Sequence, residues 1–377
     1  MILALLSGVF IGAISGLIPG LHSNLIAALL VSLHPPNLGI LLIALAVTHL
    51  SISIIPSIYL SLPDETTAIS LLPGQWLVKE GKGYECVMVH ATGVFLSIII
   101  LTPLLFFAVP FLPRLQSMVA PITPLLLALA LVSFLQKEMF PWRVLLVALA
   151  GILGILTMNS NIQEPLLPLL SGLFGVPALV TLSGSSVPHQ SVSNYVVTKK
   201  TRSMLPLGWL AGSIAGFLPG LGTAHAASIA QLGRKCSPQT MLMLLSSIAT
   251  ANFLFSLVTS VTLGKARNGV VALVMENTSM SLPLYAGTVF AAGGLAYIIT
   301  YLFAQFFARH AHILTRAAIK PVLLLFIISL VVIISGWKGL LILFIAASIG
   351  IIPPLLRMER SILMASLVVP VLIALWP

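Results

Sequence analysis

The sequence predicts an all-α polytopic membrane protein, an inverted repeat carrying paired re-entrant, broken-helix hairpins. Three observations predict it. Of 377 residues, 59% are hydrophobic and only 7% are charged, where a soluble domain carries roughly a quarter charged. Apolar runs of about twenty residues, enough to cross a hydrocarbon core of roughly 30 Å, recur from end to end. One motif occurs twice, 200 residues apart.

Residues 12–21 read GAISGLIPGL and residues 212–221 read GSIAGFLPGL. Gly12, Gly16, Pro19, Gly20 and Leu21 thus recur as Gly212, Gly216, Pro219, Gly220 and Leu221. Small residues four apart are common in membrane helices; the Pro-Gly that follows them is the informative part. Proline removes a backbone donor and glycine admits positive φ, so a helix breaks there. At membrane depth a break is tolerated only inside protein or beside a wet cavity. Its second arm offers a positively polarised N-terminus to an anion.

The flanking charges set the arrangement. Lys199, Lys200 and Arg202 precede the second copy, and Arg234 and Lys235 follow it. Both ends are therefore expected on the cytoplasmic side, which makes this segment a re-entrant hairpin. No Lys or Arg precedes Lys79, so the ends of the first copy are expected outside. Like segments with opposite flanks predict an inverted repeat; the alternative is an ordinary proline-kinked span in each half.

The same offset aligns residues 48–74 without gaps on the stretch from Ile248 to Val274. Asp64 and Glu65 then fall opposite Gly264 and Lys265, and Thr67 opposite Arg267. Charges at membrane depth are costly and mark functional sites by default. At helix ends in the headgroup layer, the bland placement, they cost little.

Further apolar stretches are 37–61, 86–112, 119–136, 142–157 and 163–182, then 239–263, 280–308, 317–336, 338–356 and 361–376. With the hairpins counted separately, about ten spans are expected. The Ser-rich stretch 183–194 reads as a linker. The expected division is a first repeat over 1–182, a linker over 183–202, a second repeat over 203–308 and appended C-terminal helices over 309–377. The first eighteen residues lack a basic n-region and are expected to belong to the mature fold. The net charge of +10 comes from 18 Lys and Arg spread through short loops, the pattern that orients a membrane protein; no nucleic-acid partner is expected. Cys86 and Cys236 match no metal spacing. No metal, cofactor or catalytic residue is expected.

IPGLHSN at 18–24 and LPGLGTAHA at 218–226, with LPDETTAISLLPGQWLVKEGKGYECVMVHATG at 62–93, carry a family resemblance. The chain resembles the large membrane subunit of the tripartite tricarboxylate transporters, the TctA family, over most of 8–100 and 208–280. It departs from that pattern in being shorter and in carrying DET and KAR where Gly and Pro are usual. By its paired hairpins with intramembrane acids and arginines it is also similar to carriers that recycle polyprenyl phosphate. The resemblance implies a secondary transporter of an anionic substrate in the cytoplasmic membrane. A small organic carboxylate is the favoured substrate, and a polyprenyl phosphate lipid carrier is the alternative.

The candidate substrate-binding residues are Pro19, Gly20, His22, Ser23 and Asn24 at the first break, and Pro219, Gly220, Gly222, Thr223 and His225 at the second. Hydroxyl and amide groups in a first helical turn add to the free backbone donors. Lys265 and Arg267 supply cations, Arg as a planar fork. Burial disfavours a bare carboxylate, so Asp64 or Glu65 is a candidate to carry a coupling proton, with sodium as the competing ion. His22 and His225 also qualify as titrating groups, and Asn252 and Glu276 are weaker candidates. Expected partners are membrane lipid, the anion and a second copy in a homodimer. An enzyme is the rival class, but Ser185, Ser186 and His189 lie in a polar loop and no HExxH or GxSxG occurs.

Overall fold

The computed structural model describes residues 1–18, 23–60, 71–119, 121, 123–135, 139–181, 188–192, 196–217, 223–230, 236–266, 268–314, 319–356, 358 and 360–375. These residues are overwhelmingly helical, with no strand among them. Among the described residues, six helices are long and apolar enough to cross a membrane. Other apolar stretches fold as shorter helices, among them Ile2–Leu17, Ser23–Leu33, Leu166–Gly175 and Ile362–Ala374.

The first half opens with α1 (Ile2–Leu17), α2 (Ser23–Leu33) and α3 (Leu38–Ile52). Gly8 of α1 lies against Leu41 and Ala44, Gly12 against Leu45 and Thr48, and Gly16 against His49 and Ile52. Residue numbers rise together on both helices, so α1 and α3 run parallel. A Cβ on Gly12 would stand 3.0 Å from the Leu45 Cα, so only glycine permits the approach. Parallel neighbours joined through residues 18–37 require the chain to double back, and α2 makes that return. The 16 residues of α1 and 11 of α2 rise about 24 and 16 Å, each short of a full span.

After Ser53 come α4 (Ile54–Leu60), α5 (Leu71–Lys79) and the long α6 (Gly83–Ala108), then α7 (Leu112–Val119), α8 (Thr123–Leu135), α9 (Phe140–Met158), α10 (Leu166–Leu170), a π turn at Ser171–Gly175, α11 (Val176–Thr181) and α12 (Lys199–Arg202). The second half repeats the opening with α13 (Leu205–Phe217), α14 (Thr223–Ala230) and α15 (Pro238–Leu263). Gly208 lies against Leu244 and Ser247, Gly212 against Ile248 and Ala251, and Gly216 against Asn252 and Phe255. These helices too run parallel, and α14 doubles back between them. The gapless alignment is corrected here: Gly16 meets His49 while Gly216 meets Asn252, so the second helices correspond three residues out of the 200-residue register.

Ser237 caps α15, accepting from the Thr240 N–H at 3.3 Å, with Pro238 at the first helical position and Gly264 at φ 60° ending it. Then come α16 (Gly269–Asn277) and α17 (Leu282–Leu314). The halves interlock reciprocally, α3 packing on α17 and α15 on α6. Ser51 and Thr300 hydroxyls meet at 2.9 Å, and the Trp209 indole donates to the Ser97 hydroxyl at 2.8 Å. Residues 38–59 of α3 and α4 are wholly buried and most of α15 is buried, whereas α17 exposes Ile298, Leu302 and Phe306. Two central helices are thus sheathed by protein, and the outer helices turn apolar side chains outward.

The last helices are α18 (Ile319–Leu355) and α19 (Ala365–Leu375). Gly336, at φ 66° and ψ −166°, breaks α18 into two arms. A Cβ on Gly339 would touch Ser335 and lie 3.4 Å from Val331. Eight residues of straight helix rise about 12 Å, so the arms fold back on each other. The expected separate spans 317–336 and 338–356 are these two arms. The second arm packs on residues of the first half, Gly172 meeting Ala346 and Gly350 meeting Leu173 and Pro177, and α19 does so where Gly154 meets Ser366.

Within the 183–202 linker, residues 188–191 form a strap on the α5–α6 turn. Gln190 is buried; its side chain accepts from the Gly83 N–H at 2.8 Å and donates to the Val78 carbonyl at 2.9 Å. The Ser191 N–H donates to the Gly81 carbonyl at 2.9 Å.

Candidate functional site

The doubling back puts the N-termini of α2 and α14 at the turning points of the two hairpins. Ser23 and Asn24 open α2, and Thr223 opens α14, all three half-buried. Pro19, Gly20, His22, Pro219, Gly220, Gly222, Arg267, Asp64 and Glu65 lie outside the described residues, as does the side chain of His225.

A residue of the other half meets Asn24. A Cβ on Gly269, the first residue of α16, would stand 2.7 Å from the Asn24 Cγ and 2.8 Å from its Nδ2. The start of α2 in the first half and the start of α16 in the second therefore converge. Each is the positive dipole end of its helix. Asn268 caps α16, its Oδ1 accepting from the Val270 N–H at 3.0 Å and, more weakly, from the Val271 N–H at 3.4 Å. The Asn268 N–H donates to the Ser256 hydroxyl at 2.8 Å, which fixes the start of α16 on the buried α15.

Lys265 follows the Gly264 cap in the connection between α15 and α16, with an exposed side chain and a backbone N–H donating to the Thr259 carbonyl at 3.3 Å. It is a cation three residues from the α16 cap. Asn252 is half-buried on α15 against Gly216, and Glu276 is exposed near the far end of α16. The structure thus gathers Asn24 with Asn268 and Gly269 and leaves Glu276 apart.

Asn268, Gly269 and Ser256 were not among the sequence candidates. Their signal is an Asn immediately before an apolar helical run, a helix-start pattern. Also missed was the buried polar cluster beside the first break. There His49 Nδ1 lies 3.1 Å from the Ser15 hydroxyl, and His90 Nε2 donates to the Leu50 carbonyl at 3.1 Å.

Among the described residues no group of three or more His, Cys, Asp or Glu can hold a metal ion. Ser185 and Ser186 lie outside the described residues, and His189 is exposed in the strap. An uncharacterized protein of Methanocaldococcus jannaschii is 27% identical over 302 residues, spanning 77% of this chain and 75% of that protein. No solved structure matches the chain. Residues 2–365 match the tripartite tricarboxylate transporter TctA family. With that match and its apolar helices, the chain belongs to the TctA family as a multi-pass membrane transport protein and not an enzyme.

Proposed function

We propose that this chain carries a small organic polycarboxylate across the cytoplasmic membrane as a secondary transporter driven by a coupled ion. The observation that carries this reading is the meeting of Asn24 with Gly269, which brings a helix N-terminus from each half to one place. Two positive helix ends, the Asn24 amide and the Lys265–Arg267 cations suit a multiply charged anion. The reciprocal packing of α3 on α17 and α15 on α6, with the opposite flanking charges, supports an inverted repeat in which one hairpin opens to each side. Alternating access by rocking of the repeats follows from that symmetry. A cysteine placed at Pro35 then labels from outside and one at Arg234 from inside.

The test is binding of radiolabelled citrate to the purified chain, with counterflow in proteoliposomes. Wild type binds and exchanges citrate. K265Q and R267Q lose at least about tenfold in affinity, the equivalent of one charge-assisted hydrogen bond, while the fold is kept. Displacement of bound label by a polyprenyl phosphate but not by unlabelled citrate assigns the site to a lipid carrier instead.

A further inference from the structure

Two contacts between the halves sit at matching places. Gln239, the second residue of α15, donates through Nε2 to the Glu85 Oε1 of α6 at 2.9 Å. Gly39, the second residue of α3, lies against Thr278 and Met280, just before α17. A Cβ there would stand 3.0 Å from the Thr278 Oγ1 and 3.1 Å from the Met280 Cγ. Gly39 and Gln239 are 200 positions apart, the spacing of the repeated motif. In each case the start of a central helix meets the start of the outer helix of the other half.

The two contacts lie at opposite ends of the bundle. Gly93 of α6 packs on Met243 and Ser246, so α6 and α15 run parallel from the Glu85 contact. Ser51 meets Thr300, so α3 and α17 run parallel from the Gly39 contact. Between α6 and α17 the order reverses: the Phe95 ring stacks on Tyr297 with centroids 4.8 Å apart, and Ile98 lies against Gly293. Antiparallel α6 and α17 put their starts, and with them the two contacts, at opposite ends. Gly16 packs on His49, ten residues along α3 from Gly39, or about 15 Å. The end of α1 and the start of α2 therefore lie in the depth between the contacts.

Their chemistry differs. The Glu85–Gln239 bond joins a carboxylate to an amide, and both residues are half-buried. Two residues before Glu85, the Gly83 N–H is held by the buried Gln190 of the chain that joins the halves. At the other end the Thr278 hydroxyl is spent on the Val274 carbonyl at 2.7 Å. Met280 is a flexible thioether, so this contact is van der Waals packing without a polar tie. Lys79 and Lys82 stand on the α5–α6 turn beside Glu85, and basic residues mark the cytoplasmic side.

We infer that these contacts are the two gates of an alternating-access carrier, with Glu85–Gln239 a latched inner gate and Gly39–Met280 a looser outer gate, and with both closed here. The inference rests on the carrier reading above. Opening either end separates a central helix from the outer helix of the other half, and each gate stands where that separation begins.

The full chain carrying C86A/C236A and the reporter S23C, at the start of α2, is reconstituted in proteoliposomes. A membrane-impermeant maleimide is applied to one face at a time, before and after oxidation of an added pair, E85C/Q239C or G39C/M280C. Oxidised E85C/Q239C is expected to leave S23C reactive only from the face opposite Glu85. Oxidised G39C/M280C is expected to leave it reactive only from the Glu85 face, and reduction restores both. Pairs that do not crosslink, or crosslinks that leave labelling from both faces unchanged, overturn the gates. Without an added pair, Q239L is expected to speed labelling from the Glu85 face on the order of tenfold, the loss of one hydrogen bond to a charged group. An unchanged rate overturns the latch. Citrate counterflow in the same vesicles is lost on oxidation and recovered on reduction. Vesicles that never exchange citrate remove the substrate reading, and the labelling then decides the gates alone.

Discussion

Asn24 and Gly269 come from opposite halves of the chain, and the side-chain amide of one fills the space that a Cβ on the other would need, at 2.7–2.9 Å. A methyl group there displaces Asn24 or lifts α16 from α2. Overpacking of this kind costs about 1–3 kcal/mol. The G269A variant is therefore expected to fold and to lose about tenfold or more in citrate affinity. Unchanged binding by radiolabel equilibrium separates Asn24 from the substrate site.

The glycines that seat the hairpins differ in consequence from glycines on the outer helices. A Cβ on Gly212 would strike the Ile248 carbonyl and stand 2.9 Å from the Ile248 Cα, whereas around Gly287 of α17 nothing lies within 4 Å. G212L is expected to lower stability by about 1–3 kcal/mol or more, read as an earlier thermal melt in detergent. G287A is expected to be neutral or stabilising by up to about 1 kcal/mol, because alanine favours the helix.

The features that are local in the chain were legible in the sequence. Pro-Gly after a glycine stripe announces a helix break, and Gly12 and Gly16 recur as Gly212 and Gly216 because the same close packing is built twice. Burial was not legible. The run LGILLIALAVTHLSI of α3 is apolar all round, and lipid and protein interior demand the same side chains. Nothing in it says that α3 is wholly enclosed, so His49 passed as one residue in an apolar span. The three-residue register shift was hidden because residues 48–74 and 248–274 are both apolar enough to align at several offsets. Asn268 and Gly269 carry a helix-start pattern, but their meeting with Asn24 depends on how two distant halves fold together.

Glu164 lies in the turn between α9 and α10 at φ 50°, and burial raises its carboxyl above the usual range. The sign follows from linkage. At pH below the ordinary value of 4.5 the carboxyl is protonated folded and unfolded, and it carries no penalty. As pH rises through the window above 4.5 the unfolded chain releases its proton first, and the folded state loses stability. E164Q removes this loss. Its melting temperature is expected to equal that of wild type below pH 4.5 and to exceed it increasingly toward neutral pH, and parallel profiles count against the assignment.

Coupling through the acid pair is the most demanding prediction, because Asp64 and Glu65 are the two acids before the helix that leads into α6. A carboxyl held away from water favours its neutral form until a cation or an ion approaches. If one of the pair carries the coupling proton, uptake into proteoliposomes is driven by an imposed pH gradient without sodium. D64N or E65Q then abolishes accumulation while citrate binding and counterflow survive, because exchange needs no net proton movement. The competing arrangement holds sodium with the same carboxylates and with carbonyls freed at the breaks. Uptake that requires sodium and ignores the pH gradient assigns the pair to that ion. Accumulation by D64N and E65Q equal to wild type under both gradients removes the acid pair from coupling altogether.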